Sequence, residues 1–397
     1  MEYNPFSLDI HINPYPTYKY LRDQEPLYHN ALTLSDGKQL SFWALSRFED
    51  VWDATHDWET FSSSAGPALE MSVQVPMMIA MDPPDHFLNR SIISRAFTPR
   101  KINALEPMIT QVITDYLDDL QDRDHFDVVE DFSAKFPMDI ISLLLGIPQE
   151  DRDEVRIRSN ISLTRIPGQA EPPPEATAAG AENWAYFSDL IKQRRNKPAH
   201  DLMSEIIHAK AQDTNGNHRS LTNEELLGFV MLLAAAGNET VTKFFGNAIY
   251  YLNRFPAART EIAADDAVIP NAVEEILRID PPSQYQGRIA MCDIEMHGRT
   301  IPKGDRVILL TGAACRDERE FETPDELDIH RTINRQLSLG HGRHICLGAH
   351  LARMEGYIAL REFHQRFPQY DIDEDNLGYV HSGNVRGFTS VPLVIRG

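Results

Sequence analysis

One cysteine in a glycine-rich stretch is the residue of this chain best suited to bind a metal. Cys346 lies in Leu339–Gly348, Leu-Gly-His-Gly-Arg-His-Ile-Cys-Leu-Gly, directly before a segment whose apolar residues recur at helical spacing to about Phe367. At the N-terminus of that predicted helix, free backbone N–H groups and the positive end of the helix dipole favour a thiolate, which binds metals well. The glycines keep the backbone thin, so a flat cofactor can lie against the loop.

A lone cysteine can also have a structural role. An isolated cysteine beside a turn is more often a buried structural residue. Cys292 and Cys315, the two other cysteines, are too unevenly spaced for a disulfide framework. A zinc site is not predicted, because no second cysteine or histidine pair completes a tetrahedral set of ligands.

A histidine and an arginine four residues apart form a second feature. The run Asp82–Arg90 opens a predicted helix, on which His86 and Arg90 share one face. An arginine fork can hold a carboxylate through two hydrogen bonds. Taken alone, the residues leave a solvated surface pair as the default interpretation.

A long helix is predicted to begin at the capping box Thr222–Glu225 and to end near Phe255. Its middle contains Ala-Gly-Asn-Glu-Thr at residues 236–240. This run weakens the helix locally, because a threonine hydroxyl can hydrogen-bond to the carbonyl one turn back. A glycine that is merely tolerated in a buried helix is the alternative.

Two opposite charges three residues apart occupy another predicted helix, Asn271–Arg278. Glu275 and Arg278 can form an ion pair, and a surface pair of this kind contributes little stability. The residues alone do not favour a buried pair.

The other elements are predicted to be mostly helical, with a few strands. Residues 102–210 are expected to form successive helices, and the proline-rich 166–181 segment to connect two of them. Residues 62–80 are predicted to be a loop, Phe42–Leu45 a strand, and Asn215-Gly216 a hairpin turn.

Composition bounds the class of protein. With 397 residues and 42% hydrophobic residues, the chain can bury one large core or two ordinary ones. The longest apolar candidate, residues 228–237, is too short to cross a bilayer, and the N-terminus lacks the pattern of a signal peptide. A cytoplasmic protein without a membrane anchor is expected. The net charge of −21 argues against nucleic acid and anionic membranes as partners, although a local basic patch remains compatible with it.

Together these motifs resemble the cytochrome P450 family. The order Gly-x-Gly-x-His-x-Cys-Leu-Gly, followed by Leu-Ala-Arg, is similar to the haem-ligand loop of the family. Leu339 departs from the usual phenylalanine, which affects packing beside the sulfur. Matching landmarks run from about residue 13 to 393. The resemblance implies a mainly α fold, the cytochrome P450 fold with a long central helix and small β-sheets, as a single haem domain over residues 1–397 with no fused reductase.

The resemblance also implies roles for individual residues. The cofactor would be haem b (iron protoporphyrin IX), with Cys346 as the iron ligand. Glu275 and Arg278 would join Arg331 in a core brace, and Cys315 would be an inert buried thiol where the family commonly has asparagine. The expected propionate and haem contacts are His86, Arg90, Arg288, His344 and Gly237, and the expected oxygen-activating residues are Glu239 and Thr240.

The strand over 281–290, the 62–80 loop and the hairpin over 386–393 would enclose the substrate under this resemblance. A lipophilic small molecule, either terpenoid- or steroid-like or a fatty or branched lipid, is the expected substrate. The expected pocket residues are Met77, Met78, Leu232, Leu233, Ala236, Gln284, Gln286, Phe388 and Thr389.

The resemblance implies a haem-thiolate monooxygenase. One oxygen atom of O₂ would enter a C–H bond or a double bond, the other would leave as water, and Cys346 would favour O–O cleavage. Electrons are expected from a ferredoxin and a ferredoxin reductase. A basic docking patch is predicted from those residues among Arg90, Arg95, Arg100, Lys101, Arg343 and Arg353 that do not bind propionates. Two alternatives are a peroxide-driven peroxygenase, which tends to lack the acid–threonine pair, and a non-enzymatic haem carrier or sensor.

Overall fold

The computed structural model describes residues 2–34, 37, 39–71, 76–213 and 216–396. Asn215 of the predicted turn and residues 72–75 of the predicted loop lie outside this part of the chain. The helices are α1 Leu8–Ile12, α2 Tyr15–Gln24, α3 Phe48–His56, α4 Asp85–Ile93, α5 Pro99–Asn103, α6 Glu106–Asp118, α7 Phe136–Leu145, α8 Arg152–Ser162, α9 Pro174–Asn196, α10 Leu202–His208, α11 Asn223–Arg254, α12 Pro256–Ala264, α13 Ile269–Ile279, α14 Thr311–Ala314 and α15 Ala349–Arg366.

Short strands accompany the helices and form small sheets. They are β1 Leu27–Thr33, β2 Gln39–Leu45, β3 Phe61–Ser62, β4 His125–Asp127, β5 Ala211–Gln212, β6 His218–Arg219, β7 Gln286–Ala290, β8 Ile294–Met296, β9 Arg299–Ile301, β10 Arg306–Leu309, β11 Tyr370–Ile372, β12 Gly378–Tyr379, β13 Phe388–Ser390 and β14 Pro392–Ile395. The largest sheet has the order β1-β2-β10-β7-β3, and it is antiparallel except where β10 runs parallel to β2. The mainly α architecture with small sheets confirms the predicted fold class.

Helix α11 is the long central helix that the capping box predicts. The Thr222 hydroxyl accepts from the Glu225 N–H at 3.1 Å, and the Glu225 carboxylate accepts from the Thr222 N–H at 2.7 Å. Its middle packs into an aromatic core, where the Phe245 ring centroid lies 5.1 Å from that of Phe132 and 5.6 Å from that of Phe363 on α15. Helix α11, which carries residues 236–240, therefore packs against α15, the helix that follows Cys346.

Glu275 and Arg278 on α13 form a fully buried pair rather than a surface pair. The guanidinium donates two hydrogen bonds, at 2.6 and 2.7 Å, to the carboxylate, and both side chains have 0% exposure. The Arg331 Nε also donates to this carboxylate, at 3.1 Å. This geometry agrees with the predicted brace. The Arg278 guanidinium also donates to the backbone carbonyl of Cys315. The Cys315 thiol is buried, and desolvation raises its pKa to about 12.

Two predicted boundaries were wrong. The proline-rich 166–181 segment is not irregular throughout, because α9 begins at Pro174 and a proline fits the first turn of a helix. The strand expected over 281–290 begins only at Gln286, because the preceding residues bond to another segment: the Gln284 N–H donates to Asn384 O. No helix in the described part of the chain is long and apolar enough to span a membrane.

Candidate functional site

The loop that carries Cys346 is closed by backbone hydrogen bonds and leads directly into α15. The Cys346 N–H donates to Leu339 O at 2.8 Å, and Gly348 is the residue before the first helical residue, Ala349. Gly340 has a φ of +71°, as the tight turn requires. At Gly342, with φ +66°, a Cβ would lie 2.6 Å from Thr55 O. These two glycines are thus explained by the turn and by the close approach of α3.

Cys346 is solvent-exposed, although many protein atoms surround it. Burial raises the pKa of its thiol, whereas the Gly348 N–H and the positive charges of Arg90 and Arg353 lower it. The helix end therefore favours the thiolate as expected, but desolvation outweighs it. A thiolate at this position needs a further positive charge, which a bound metal ion would supply.

Two imidazoles and two guanidinium groups gather beside the cysteine. The His86 ring on α4 lies 4.2 Å from that of His344, centroid to centroid. Both ring nitrogens of His86 and Nε2 of His344 are buried without a hydrogen-bond partner among the described residues. Burial lowers the pKa of Arg90, and it lowers that of Arg288 on β7 to about 10. In the described part of the chain neither arginine forms an ion pair.

This group of side chains fits a ligand that brings carboxylates. Unsatisfied buried nitrogens and unpaired buried guanidinium groups are costly unless a bound molecule provides acceptors and negative charge. A haem has two propionates and a metal that a thiolate can bind, so the residues present fit that cofactor.

Thr240 and Glu239, the predicted oxygen-activating residues, lie on α11. The helix is continuous from Asn223 to Arg254, so the local weakening predicted at residues 236–240 does not interrupt it. The local perturbation is a hydrogen bond from the Thr240 hydroxyl to Ala236 O at 2.7 Å. Ala236 itself is exposed although it lies mid-helix, which indicates an open space beside it. Burial raises the pKa of Glu239, while Lys243 and Arg165 lower it. A Cβ at Gly237 would lie 2.7 Å from the Ile141 side chain, so α7 packs closely here.

The predicted apolar pocket residues fall into two groups. Met77 and Met78 follow Pro76, whose backbone lies against Gly228 of α11, and Met78 is buried at 7% exposure. Leu232 and Leu233 are half-buried one turn before Ala236. Their positions along α11 are compatible with a shared apolar wall.

Gln284 and Phe388 belong to the core, in contrast to the prediction. The Gln284 amide donates to Pro281 O at 2.7 Å and accepts from the Tyr18 hydroxyl at 3.0 Å, so the protein already satisfies it. The Phe388 ring packs with centroids 5.0 Å from Tyr250 and 5.3 Å from Tyr379. These contacts explain the difference: both side chains turn toward neighbouring elements that the sequence pattern does not reveal.

The remaining polar candidates are less enclosed. Gln286 donates to the Ser283 hydroxyl at 2.6 Å, and Thr389 is exposed. The predicted hairpin over 386–393 begins too late, because the preceding residues already contact the 281–285 segment: Val385 bridges to Ser283, and the Arg386 N–H donates to Pro282 O. The isolated bridge leaves no strand pattern in the sequence, although residues 384–386 join the β12–β13 hairpin.

The predicted basic docking patch is smaller than expected. Arg90 is buried among the cofactor-facing groups, Lys101 pairs with Glu205, and Arg353 pairs with Glu274. The Arg95 guanidinium donates to Lys210 O at 2.9 Å, and Arg343 lies over the Phe87 ring at 4.5 Å from its centroid. Among the six predicted residues, Arg95, Arg100 and Arg343 are exposed without an acidic partner in the described part of the chain.

Known proteins resemble this chain along its whole length. The Cytochrome P450 family model matches residues 185–376. The putative cytochrome P450 123 of Mycobacterium tuberculosis (strain ATCC 25618 / H37Rv) is 40% identical over 400 residues, which cover 99% of this chain and 96% of the relative. The vitamin D(3) 25-hydroxylase of Pseudonocardia autotrophica is 35% identical over 403 residues, with the same coverage. The solved structure of the Bacillus subtilis 168 bacillaene polyketide synthase cytochrome P450 PksS superposes with a TM-score of 0.90 at 31% identity, covering 100% of both chains.

A mainly helical fold with a long central helix and a glycine-rich cysteine loop defines the class of haem-thiolate oxygenases. The chain belongs to the cytochrome P450 family and is a monooxygenase. Membership implies a haem cofactor and the use of O₂ and of a redox partner.

Proposed function

We propose that this chain is a haem b monooxygenase that inserts one oxygen atom of O₂ into a lipophilic small molecule, with residues 1–397 forming one haem domain. The proposal is supported by four hydrogen-bond donors that lie near Cys346 and have no acidic partner in the described part of the chain. These donors are His86, Arg90, Arg288 and His344. Such a set matches a ligand with a thiolate-binding metal and two carboxylates.

Each of these donors would contribute a contact to the cofactor. Arg90 and Arg288 would each neutralise a propionate through charge-assisted hydrogen bonds. The unsatisfied ring nitrogens of His86 and His344 would donate further hydrogen bonds to the propionate oxygens. Cys346 would ligate the iron. When bound, the haem would supply O₂ activation and transfer of one oxygen atom to the substrate.

Glu239 and Thr240 would transfer protons at this site. The Thr240 hydroxyl, held by Ala236 O, would hold a water at the helix surface and pass protons inward. Glu239, whose pKa is raised by burial, would connect that water with solvent. Gly237 would keep this part of α11 thin beside the cofactor.

The substrate is proposed to be lipophilic and steroid- or terpenoid-like, with a fatty or branched lipid as the other class. Met77, Met78, Leu232, Leu233 and Ala236 would form its apolar wall, and Gln286 and Thr389 would supply neutral polar contacts. One relative is named vitamin D(3) 25-hydroxylase, which supports a lipophilic substrate. A ferredoxin and a ferredoxin reductase are the proposed electron donors.

The experiment is a reconstituted assay on the haem-loaded enzyme. The ferrous–CO complex of the wild type should have the red-shifted Soret band of thiolate ligation, and Cys346→His should move it to the position of imidazole-ligated haem. With ferredoxin, its reductase, NADH and a steroid or terpenoid panel, wild type should form a hydroxylated product. An unchanged spectrum in Cys346→His refutes the ligand assignment. Product formed only with hydrogen peroxide favours the peroxygenase, and no product with either oxidant favours the haem carrier.

A further inference from the structure

Lys243 is a buried cation on α11 that the proposed chemistry does not use. It lies four residues after Glu239, so the two side chains share one face of the helix, with Cβ atoms about 6 Å apart. Lys243 is 9% exposed, and in the described part of the chain it forms no ion pair. A charge buried without a contacting acid is costly, which calls for a reason.

The ammonium group is fixed in place by the C-terminal hairpin. Lys243 Nζ donates to Phe388 O at 3.0 Å. The neighbouring residue must be glycine, because Gly387 has a φ of +149° and a Cβ there would lie 2.6 Å from Lys243 Cβ. The hairpin backbone therefore packs directly on the lysine stem and holds its charge at one position.

We propose that Lys243 is a positioning residue that stabilises the carboxylate form of Glu239 and so lets Glu239 exchange protons. The proposal rests on the proton role of Glu239 in the proposed function. In a low-dielectric interior a fixed cation one helical turn away acts on an acid strongly. The positive groups that face Glu239 are Lys243, on the same helix, and Arg165, from the connection between α8 and α9. Burial lowers the pKa of Lys243 and Glu239 raises it, so the interaction is reciprocal.

The direction of the effect follows from these charges. Burial raises the pKa of Glu239 and the cations oppose that rise. Removing the Lys243 charge should therefore raise the pKa of Glu239 further, as for the loss of a nearby opposite charge. The carboxylate form then requires a higher pH, and proton delivery should recover only there.

The test separates the charge of Lys243 from its hydrogen bond. Lys243→Gln keeps an N–H donor for Phe388 O without the charge, Lys243→Met removes both, and Lys243→Arg keeps both. The exposed Lys192, which pairs with Asp189, supplies the control Lys192→Gln. In the haem-loaded enzyme, the infrared carbonyl stretch of protonated Glu239, assigned by its loss in Glu239→Gln, is titrated with pH. The acid limb of product formed per NADH is measured in parallel.

Both curves should move to higher pH in Lys243→Gln and Lys243→Met, and stay at the wild-type position in Lys243→Arg and Lys192→Gln. A wild-type infrared titration in Lys243→Gln overturns the proposal, and so does an equal shift in Lys243→Arg. If instead Glu239→Gln leaves coupling unchanged, the proton role of Glu239 fails, while the infrared titration still decides whether Lys243 controls its ionisation.

Discussion

The imidazole of His86, on α4, and that of His344, two residues before Cys346, lie 4.2 Å apart between ring centroids. Burial and the nearby charge of Arg90 lower the pKa of His86 to about 4. For His344, burial together with His86, Arg288 and Arg90 lowers it to about 3. Both rings are therefore neutral at pH 7, and each can donate one N–H to a bound carboxylate.

Removing one of these donors should weaken haem retention. Arg288→Gln or His86→Phe should speed haem loss about 10- to 100-fold, because a hydrogen bond to a charged group contributes about 1.5–3 kcal/mol. The measurement is the rate of haem transfer to an apo-globin acceptor. Arg299→Gln is the control, since the Arg299 guanidinium donates to Leu27 O on β1, three strands away from Arg288 on β7. Transfer at the wild-type rate in both site variants would contradict the assignment of propionate contacts.

The sequence predicted the elements that local patterns specify. The capping box set the start of α11, and helical periodicity set the extent of α15 to within a residue or two. The Glu275–Arg278 spacing identified an ion pair but not its burial, because burial depends on carbonyls of the 315–326 segment that reach the guanidinium through tertiary packing.

The buried pair of Glu275 and Arg278 makes a strong stability prediction. Glu275→Ala should leave two guanidinium groups, of Arg278 and Arg331, without their carboxylate in the interior. The expected cost is about 3–5 kcal/mol of unfolding free energy, with loss of haem incorporation. Denaturant unfolding and the haem-to-protein ratio are the measurements.

A matched control comes from an exposed pair. Arg254 and Glu374 approach to 3.5 Å, with 51% exposure on each side. Glu374→Ala should therefore cost no more than about 1 kcal/mol. If Glu275→Ala matched this small cost and kept its haem, the pair would not be a brace.

Side-chain direction is what the sequence could not predict. Phe388 and Gln284 have the types expected of pocket residues, yet ring packing with Tyr250 and the Tyr18 hydroxyl bond turn them into the core. The predicted docking patch is smaller for a related reason, since acids distant in sequence, such as Glu205 and Glu274, neutralise Lys101 and Arg353. Charge counted along one segment does not reveal such partners.

Thr240 gives the sharpest test of oxygen activation. Its hydroxyl donates to Ala236 O at 2.7 Å, which leaves the oxygen lone pairs free to accept from a water at the helix surface. Without that water, protons would reach the site slowly, and the oxygen that is reduced would be released as hydrogen peroxide. Thr240→Ala should keep haem content, the ferrous–CO spectrum and substrate affinity. Product formed per NADH should fall about 10-fold or more, within the range that a lost acid–base group costs, and peroxide should rise to match.

The controls isolate the hydroxyl at this position. Thr240→Ser keeps the donor and should remain coupled. Thr260→Ala removes a comparable bond, from the Thr260 hydroxyl to Pro256 O at 2.9 Å on exposed α12, and should change neither product nor peroxide. NADH, product and peroxide are assayed together for all four proteins. A Thr240→Ala enzyme as tightly coupled as wild type would mean that Thr240 only satisfies its own helix, and the proton route would then have to run through other residues or ordered water.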